Sequence, residues 1–331
     1  MMGRSILSLS NLHVSFPGGI EAVRGVDLEV APGEIHAVVG ESGSGKSVTS
    51  RAIVQLLPRS AAVSWDRLEI DGQRFDARRP DDVRRLRGRR IAMVFQEPGK
   101  YLNPAMTIGA LIGEAVALHL GLDRRERRRR AASLMELVDL DEGALDAYPH
   151  ELSGGMKQRA LIALAISCDP ALLLADEPTT ALDVTVQAQI LDLLDRLRRE
   201  SGMAIVFISH DMGLVQSTAD HLSVMYAGRV VDTAPSGELF AWPVHPYTEL
   251  LLESIPSPDR RGEPLRAIPG RVPDASAVPS GCAFHPRCPI AVDRCALGVP
   301  PLAAYRDGHR SACHRGSERV AGALGEEGGP G

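Results

Sequence analysis

The chain has 331 residues, enough for one large domain or for two ordinary ones that each bury their own core. Its net charge of -5 and sequence pI of about 6.1 give no global positive field, which argues against nucleic acid as a partner. No apolar run reaches the roughly 18 residues that a membrane-spanning helix needs, and residues 1–5 open no secretory signal, so we expect the protein to stay in the cytoplasm.

Residues 5–31 alternate apolar and polar side chains on both sides of a Pro17-Gly18-Gly19 turn, which predicts antiparallel strands. Phe16 stands just before this turn, where its ring could stack on a nucleotide base. Packing in the protein core is the alternative role for this side chain.

A phosphate-binding P-loop follows, because the sequence from Gly40 to Ser47 matches the pattern G-x-x-x-x-G-K-[ST]. Residues 35–39 predict a buried strand before the motif, and residues 48–57 predict a helix after it, which is the context that the motif requires. Three glycines allow backbone amides to surround a polyphosphate, while Lys46 supplies positive charge and the Ser47 hydroxyl can bind Mg²⁺. The predicted nucleotide-binding residues of this segment are Gly40, Glu41, Ser42, Gly43, Ser44, Gly45, Lys46, Ser47 and Val48.

An acidic pair, Asp176 and Glu177, follows the apolar residues 172–175, which predict a buried parallel strand. Sheets of α/β proteins bind ligands at the carboxyl ends of their strands. Asp176 is suited to a water-mediated contact with Mg²⁺. Glu177 is suited to be the general base that activates water for attack on the γ-phosphate.

Two more polar residues follow predicted strands. Gln96 comes after residues 91–95, and its side-chain oxygen could reach Mg²⁺ or the attacking water. His210 comes after residues 204–208 and can contact the γ-phosphate while holding that water. We therefore expect Gln96 and His210 to join Glu177 as catalytic residues, with Gln96 and His210 also counted as nucleotide-binding.

A second anion-binding surface is predicted at Ser153, Gly154 and Gly155, which stand directly before a helical segment. Two phosphate-binding surfaces in one chain indicate that they face different nucleotides.

The basic run at residues 124–130 could contact anionic lipid. A solvated helix face is the favoured interpretation of that run.

Four of the five cysteines lie within 32 positions, at Cys282, Cys288, Cys295 and Cys313, after a proline-rich stretch at residues 242–281. In a reducing compartment such a group is typical of metal or cluster ligation rather than disulfides. The spacing alone leaves zinc, an iron–sulfur cluster and free thiols open. From Gly316 onward the composition predicts a disordered tail.

Together these motifs resemble the ATP-binding subunits of ATP-binding cassette (ABC) transporters. Leu152 to Gln158 correspond to the family's signature motif, in the expected order with the P-loop, Gln96, the acidic pair and His210. Residues 175–190, the His245-Pro246-Tyr247-Thr248 segment and the cysteine-containing extension are most similar to the oligopeptide/dipeptide/nickel permease branch. Gly99-Lys100-Tyr101 departs from that branch, in a segment that faces the membrane subunits in members of the family.

The resemblance implies an α/β fold: a P-loop NTPase (RecA-like) core with a mixed sheet, an antiparallel β subdomain, a helical subdomain and a small C-terminal extension. We expect the nucleotide-binding domain at residues 1–241, its helical subdomain at about 97–158, the extension at 242–315 and a tail at 316–331. The resemblance also implies a head-to-tail pair of cassettes, with Ser153 and Gly155 of one closing over the nucleotide held by Lys46 of the other, and Asp183 in the loop that crosses the interface. Some members carry a [4Fe–4S] cluster on cysteines matching these four, so we favour that cluster over Zn²⁺.

The implied function is ATP hydrolysis that drives uptake of oligopeptides, dipeptides or a nickel complex. The implied partners are a second ABC ATPase subunit, either a copy or a paralogue, two transmembrane permease subunits and an extracytoplasmic substrate-binding protein, with no nucleic acid. The chain would then lie peripherally on the cytoplasmic face of the membrane. A soluble cassette acting on nucleic acid or ribosomes is the alternative, but the double cassettes or coiled-coil insertions common in such proteins do not occur here. Intact Glu177 and His210 argue against a cassette that only binds ATP.

Overall fold

The computed structural model describes residues 5–76, 81–255, 268–306 and 308–326, whose strands form two sheets. The strands are β1 (Leu7–Phe16), β2 (Ile20–Val30), β3 (Ile35–Val39), β4 (Ala62–Ser64), β5 (Arg67–Ile70), β6 (Gln73–Phe75), β7 (Ile91–Val94), β8 (Leu172–Asp176), β9 (Ala204–Ser209), β10 (His221–Tyr226), β11 (Arg229–Pro235), β12 (Ala303–Arg306) and β13 (His309–Ser311). The helices are α1 (Lys46–Ile53), α2 (Asp81–Arg84), α3 (Pro98–Tyr101), α4 (Ile108–Leu120), α5 (Arg124–Leu137), α6 (Gly154–Ile166), α7 (Val184–Ser201), α8 (Met212–Gln216), α9 (Ser236–Ala241), α10 (Pro246–Glu253), α11 (Asp293–Leu297) and α12 (Gly316–Glu326). Short 3₁₀ turns cover Glu142–Asp146, Pro149–Glu151 and His285–Arg287.

The larger sheet has the strand order β12-β13-β11-β10-β3-β9-β8-β7. The strands from β10 to β7 are parallel, and β11, β12 and β13 add an antiparallel edge. In β8, Leu172 and Leu174 contact one apolar core while Leu173 and Ala175 contact the other. Burial on both faces explains why residues 172–175 of this strand are all apolar instead of alternating with polar residues.

The smaller sheet is antiparallel throughout, with the order β2-β1-β5-β6 and β4 paired to β1. It packs together with α1 against one face of the larger sheet, where their apolar side chains form one continuous core. The antiparallel strands predicted for residues 5–31 are confirmed.

Helices α4, α5, α6 and α7 pack on the other face of the larger sheet. Asp123 caps α5 by accepting backbone hydrogen bonds from Arg125 and Glu126. Within the basic run of this helix, Arg128 pairs with Asp146 and Arg130 with Asp169. These ion pairs support the solvated-face interpretation of the run.

The long helix α7 has a local signal at each end. Asp183 caps its first turn by accepting a hydrogen bond of 2.9 Å from Val186 N, and Gly202 ends it at φ 70.

The P-loop helix α1 differs from its prediction of residues 48–57. It begins at Lys46, directly after Gly45, and ends at Ile53, because Gln55 takes a left-handed conformation at φ 54 that a helix cannot include.

The C-terminal extension is joined to the larger sheet through β13, which pairs with β11. Buried Asp232 on β11 accepts a hydrogen bond of 3.0 Å from His245 N and lies 2.9 Å from Nε2 of His309 on β13. The strand edge and this carboxylate together fix the extension to the nucleotide-binding part.

The predicted disorder from Gly316 is wrong for residues 316–326, which form α12. Its first turn places Glu318 within reach of Arg315, and Arg319 donates a 2.8 Å hydrogen bond to Glu249 of α10. The high glycine content of the tail favoured a prediction of disorder, and composition does not show that these charge pairs form. Residues 327–331 lie outside the described residues. Within the described ranges, no helix has both the length and the apolar character needed to span a bilayer.

Candidate functional site

The P-loop connects β3 to α1, and its glycines have different structural tasks. A Cβ on Gly40, at φ 147, would stand 2.2 Å from the Met225 carbonyl oxygen. A Cβ on Gly45, at φ 102, would stand 2.6 Å from the Ala22 carbonyl oxygen. Gly43 has nothing within 4 Å of its Cβ position. Two glycines therefore allow close packing within the protein, and the third leaves open space at the loop.

The amino end of α1 is suited to an anion. Gly45 occupies the N-cap position, so no side chain caps the helix, and its first turn contains no acidic residue. The first amides therefore remain free to donate to phosphate. Lys46 Nζ donates to the carbonyl oxygens of Gly40 at 2.7 Å and Glu41 at 2.9 Å. Burial lowers the pKa of Lys46, against the opposing effect of nearby Glu177, Asp176 and Glu41.

Ser47 and Asp176 meet between α1 and β8, where Ser47 Oγ donates a 2.6 Å hydrogen bond to Asp176 Oδ1. Asp176 Oδ2 is buried and has no hydrogen-bond partner among the described residues, although Arg51 Nη2 lies 3.6 Å away. Burial, with a further contribution from Glu177, raises the pKa of Asp176. A hydroxyl beside an incompletely satisfied carboxylate is a fitting donor set for a hydrated Mg²⁺ ion.

Glu177 lies at the meeting point of three strand ends, and its backbone has φ 48. Its Oε2 accepts hydrogen bonds from Gln96 Nε2 at 3.0 Å and Thr180 Oγ1 at 2.9 Å, and it lies 3.2 Å from His210 Nδ1. Gln96 follows β7, and His210 follows β9. The structure thus brings together the three residues that the sequence predicts to be catalytic, around one carboxylate oxygen.

Ser153, Gly154 and Gly155 form a second group, at the amino end of α6. Ser153 is exposed and accepts a 3.3 Å hydrogen bond from Met156 N. A Cβ on Gly155 would lie 3.0 Å from Val186 of α7. This group therefore packs beside the loop that contains Asp183. Among the described residues, no hydrogen bond joins Ser153, Gly154 or Gly155 to the P-loop.

Phe16 lies at the end of β1, and its half-buried ring packs against the core between the two sheets. One part of the ring surface is therefore engaged in packing while another part faces solvent. Both roles considered for this residue are compatible with that position.

Sequence reasoning missed four residues that contact this site. Arg51 stands four positions after Ser47, so helical spacing could have placed it near Asp176. Thr180 lies three positions after Glu177 in the same turn, which is also a local signal. No local signal connects the P-loop to Tyr247 and Arg287, both of which contact Glu41 from the C-terminal extension.

The four cysteines of the extension surround one small cavity of about 20 Å³, although residues 282 and 313 are 31 positions apart. Burial raises the pKa of Cys282 to about 11, and burial also raises the pKa of the Cys288 and Cys313 thiols. Neighbouring thiols contribute to these shifts. Four converging cysteines, whose thiolates would repel one another without a cation, fit a cationic metal or cluster.

The histidines that line this cavity each use one ring nitrogen for a backbone contact. His285 Nδ1 lies 2.9 Å from the Cys282 carbonyl oxygen, and His314 Nε2 lies 2.8 Å from that of Gly298. His245 Nδ1 accepts a 3.1 Å hydrogen bond from Tyr247 N. The cysteines are thus the donors best placed for ligation.

A second group of possible metal-binding side chains lies at the amino ends of β3 and β10. One ligand atom from each of Glu34, His36 and His221 lies within 4.8 Å of the other two. His36 Nδ1 lies 3.1 Å from Glu34 Oε1, and His36 Nε2 lies 2.9 Å from Ser223 Oγ. The contact between His36 and Ser223 connects the two strands near their amino ends, whereas the P-loop follows the carboxyl end of β3.

Fold and site define a P-loop ATPase of the cassette class. Residues 23–180 match the family described as ABC transporter, and residues 231–295 match the oligopeptide/dipeptide transporter C-terminal region. The chain therefore belongs to the ABC transporter family and is an ATP-binding, ATP-hydrolysing cassette, which confirms the family, fold and enzyme class that the sequence predicts.

Curated relatives match almost the whole chain. A Brucella melitensis protein, whose name describes a peptide import ATP-binding protein, is 49% identical over 97% of this chain and 100% of its own length. The dipeptide transport ATP-binding protein DppD of Escherichia coli K12 is 45% identical, over 94% of this chain and 96% of its own. The oligopeptide transport ATP-binding protein AppD of Bacillus subtilis 168 is 44% identical, over 93% and 96%.

Solved cassettes match about 70% of the chain. The ATP-binding cassette MJ0796, in a dimeric post-hydrolysis state bound to ADP and Pi, superposes with a TM-score of 0.61 at 28% identity, over 70% of this chain and 98% of that chain. CbiO1 of Clostridium perfringens, described as part of the ABC transporter complex cbiONQ, gives a TM-score of 0.60 at 28% identity, over 72% and 91%.

Proposed function

We propose that this chain is the energy-coupling ATPase of an importer for dipeptides or oligopeptides. The observation that carries the proposal is the 44–49% identity, over nearly the full length, to ATP-binding proteins named for peptide import. The match of residues 231–295 to the oligopeptide/dipeptide transporter C-terminal region supports the same substrate class. Nickel complexes remain the less supported cargo, because none of these relatives is named for nickel.

The nucleotide-binding step is assigned to the P-loop and α1. The free amides at the start of α1 donate to the phosphates, and Lys46 exchanges its contacts with the Gly40 and Glu41 carbonyls for phosphate oxygens. Ser47 and Asp176 would hold Mg²⁺, directly and through water, with Gln96 as a further ligand. Bound Mg²⁺ supplies neutralisation of the phosphate charge.

Hydrolysis is assigned to Glu177 as general base. Its Oε2 is held by Gln96, Thr180 and His210, so Oε1 is the oxygen available to accept a proton from water. His210 orients that water and is 57% exposed, at the surface that a second cassette would cover. Fixing a base before the reaction lowers the reorganisation needed in the transition state.

A second cassette is proposed to complete the site. Ser153 and Gly154 are exposed and Gly155 is half-buried at the amino end of α6, and within the described residues none of the three has a hydrogen bond to the P-loop of its own chain. Placed over the γ-phosphate of a partner, their amides would donate to it, and Asp183 would lie at the seam. The dimeric arrangement of MJ0796 with ADP and Pi supports such a pairing. The partner is either a second copy or a paralogue.

The membrane subunits are proposed to dock in the groove between α4 and α5. The groove has a volume of about 890 Å³ and combines apolar residues such as Met106 with the guanidinium groups of Arg124 and Arg128. Leu118 at its edge is 77% exposed and adds apolar surface to the groove. This docking places the chain on the cytoplasmic face of the membrane, with an extracytoplasmic protein delivering cargo to the other side.

The cysteine cavity is proposed to hold a [4Fe–4S] cluster on Cys282, Cys288, Cys295 and Cys313. Four cysteine sulfurs that line one cavity are the ligand set that such a cluster takes, and Zn²⁺ on the same four thiolates is the alternative. Protein purified without oxygen should contain iron and sulfide and absorb visible light. Colourless protein with one zinc ion would decide for zinc.

Co-purification from detergent-solubilised membranes tests the proposed function. We expect the tagged chain to retain two multi-spanning permease proteins. Leu118→Asp should lose them while the ATPase activity of the isolated chain stays unchanged. Leu297→Asp is the matched control, because that leucine is 85% exposed on the C-terminal extension. Recovery of the wild-type chain mainly away from membranes and bound to RNA would refute the importer role and favour the nucleic-acid alternative.

A further inference from the structure

The C-terminal extension makes direct contact with the phosphate-binding loop. Glu41, the first variable residue of the P-loop, donates its backbone N–H to the Tyr247 hydroxyl at 2.8 Å. Its carboxylate accepts two hydrogen bonds from Arg287, at 2.8 Å from Nη1 and 3.0 Å from Nη2. Two residues more than 200 positions away in sequence therefore hold both the backbone and the side chain of one P-loop position.

Arg287 is itself rigidly placed. Its Nε donates a 2.7 Å hydrogen bond to the Pro269 carbonyl, and its Nη1 also contacts the Tyr226 hydroxyl at 3.2 Å. The guanidinium carbon lies 5.9 Å from the centre of the Phe284 ring, and the side chain is only 6% exposed. A charge this buried is retained at low cost only where a partner neutralises it, and Glu41 is that partner.

The local backbone connects this pair to the cysteine cavity. Arg287 ends the 3₁₀ turn His285–Arg287 and directly precedes Cys288, one of the cysteines that line the cavity. The position of the guanidinium therefore depends on the fold of the cysteine-containing segment.

Glu41 needs a neutralising partner because of what its loop binds. The Glu41 carbonyl oxygen accepts a hydrogen bond from Lys46, so this residue lies beside the proposed phosphate position. An unpaired carboxylate there would repel a polyphosphate. In a partly desolvated site, repulsion between nearby like charges weakens binding by roughly tenfold.

We propose that Arg287 is a positioning residue for ATP binding: it neutralises and orients Glu41, and together with Tyr247 it makes nucleotide affinity depend on the C-terminal extension. The extension is then a structural part of the nucleotide site rather than an independent appendage. The inference rests on the nucleotide role of the P-loop and is independent of the cargo.

Nucleotide titration of the full chain tests this role. Arg287→Met should raise the Kd for ATP about tenfold and the Kd for ADP by less, because ADP carries less negative charge. The KM for ATP should rise in parallel, while kcat at saturating ATP stays within about twofold. Arg294→Met is the matched control, since Arg294 belongs to the same extension, is 51% exposed and pairs with Glu318 rather than with the P-loop. Its ATP affinity should equal that of the wild type.

A charge-removal variant separates positioning from general folding. Adding Glu41→Gln to Arg287→Met should recover most of the lost ATP affinity, because the repelling carboxylate is gone. Arg287→Lys keeps one charge but cannot form both hydrogen bonds, so it should give a smaller rise in Kd and carries the test if the Met variant does not fold. Unchanged ATP affinity in a folded Arg287→Met or Arg287→Lys protein would overturn the proposal. The same holds if Glu41→Gln recovers nothing.

Discussion

Two neighbouring carboxylates at the carboxyl end of β8, Asp176 and Glu177, lie in different environments. Asp176 ends β8 in the buried pleat and contacts Ser47 at 2.6 Å. Glu177 leaves the strand with φ 48, a conformation that costs a non-glycine residue about 1–2 kcal/mol. Its backbone N–H remains bonded to the Ile208 carbonyl at 3.0 Å. The strained turn directs the two side chains to different partners, which suits one to a cation and the other to water.

Replacing Glu177 by Gln tests the role of the base. The variant keeps the shape of the side chain and its contacts with Gln96 and Thr180 can re-form, but it cannot accept a proton. We expect ATP to bind with nearly unchanged affinity while hydrolysis falls by roughly 10²-fold or more. Single-turnover measurement of phosphate release, beside equilibrium binding, checks this. Normal turnover would remove Glu177 from the role.

At the scale of residues, the sequence predicts site positions where a polar residue directly follows a predicted apolar strand. Apolar strands followed by Gln96, Glu177 and His210 predict convergence, since parallel strands of one sheet end at a common edge. Arg287 could not be found in this way. Its contact with Glu41 depends on how an irregular segment packs. Such packing cannot be predicted from the periodicity of apolar residues.

At the scale of elements, the segment that begins α10 shows how the extension is secured. His245 is buried and caps α10 by accepting a hydrogen bond from Tyr247 N through Nδ1. Burial lowers the pKa of His245 to about 4, although nearby Asp232 acts in the opposite direction and Arg319 adds to the lowering. The buried packing of His245 therefore requires that its imidazole ring be neutral.

This buried histidine predicts acid sensitivity. Since the folded-state pKa of about 4 lies below the usual value of 6.5, its contribution to stability is fully present above pH 6.5 and is lost as the pH falls from 6.5 towards 4. Between pH 7 and pH 5 the loss is on the order of 2 kcal/mol. Urea unfolding at the two pH values should show a smaller drop for His245→Asn, whose side-chain oxygen can still cap α10. An equal drop in both proteins would contradict this assignment.

Elements with regular periodicity were predictable, and elements that depend on distant contacts were not. Helix α7 has an apolar face, the N-cap Asp183 and the terminating Gly202, all of them local signals. Helix α12 lies in a glycine-rich stretch, and its described long-range contacts include those of Arg319 with Glu249 and the Pro243 carbonyl and the pair formed by Glu318 and Arg294. The cysteine cavity is intermediate, because spacing predicted a shared site and only the fold could bring Cys313 to the others.

At the scale of the whole molecule, the proposed nucleotide site and the proposed partner-facing surface are separate. The P-loop, Asp176, Glu177 and His210 lie together, whereas Ser153, Gly154 and Gly155 lie beside the loop that contains Asp183. The sequence pattern of one chain does not predict which surfaces of two molecules will form an interface. The partner cassette and the membrane subunits therefore had to be inferred from resemblance and from exposed surfaces.

Uptake of labelled peptide into proteoliposomes containing this chain and its co-purified membrane subunits is the most direct test of ATP-driven import. We expect uptake to require ATP and Mg²⁺, and to fall to the background level when both cassettes carry the Glu177→Gln change or its equivalent. Uptake at the wild-type rate with both nucleotide sites disabled would contradict the central claim that hydrolysis in this cassette drives transport.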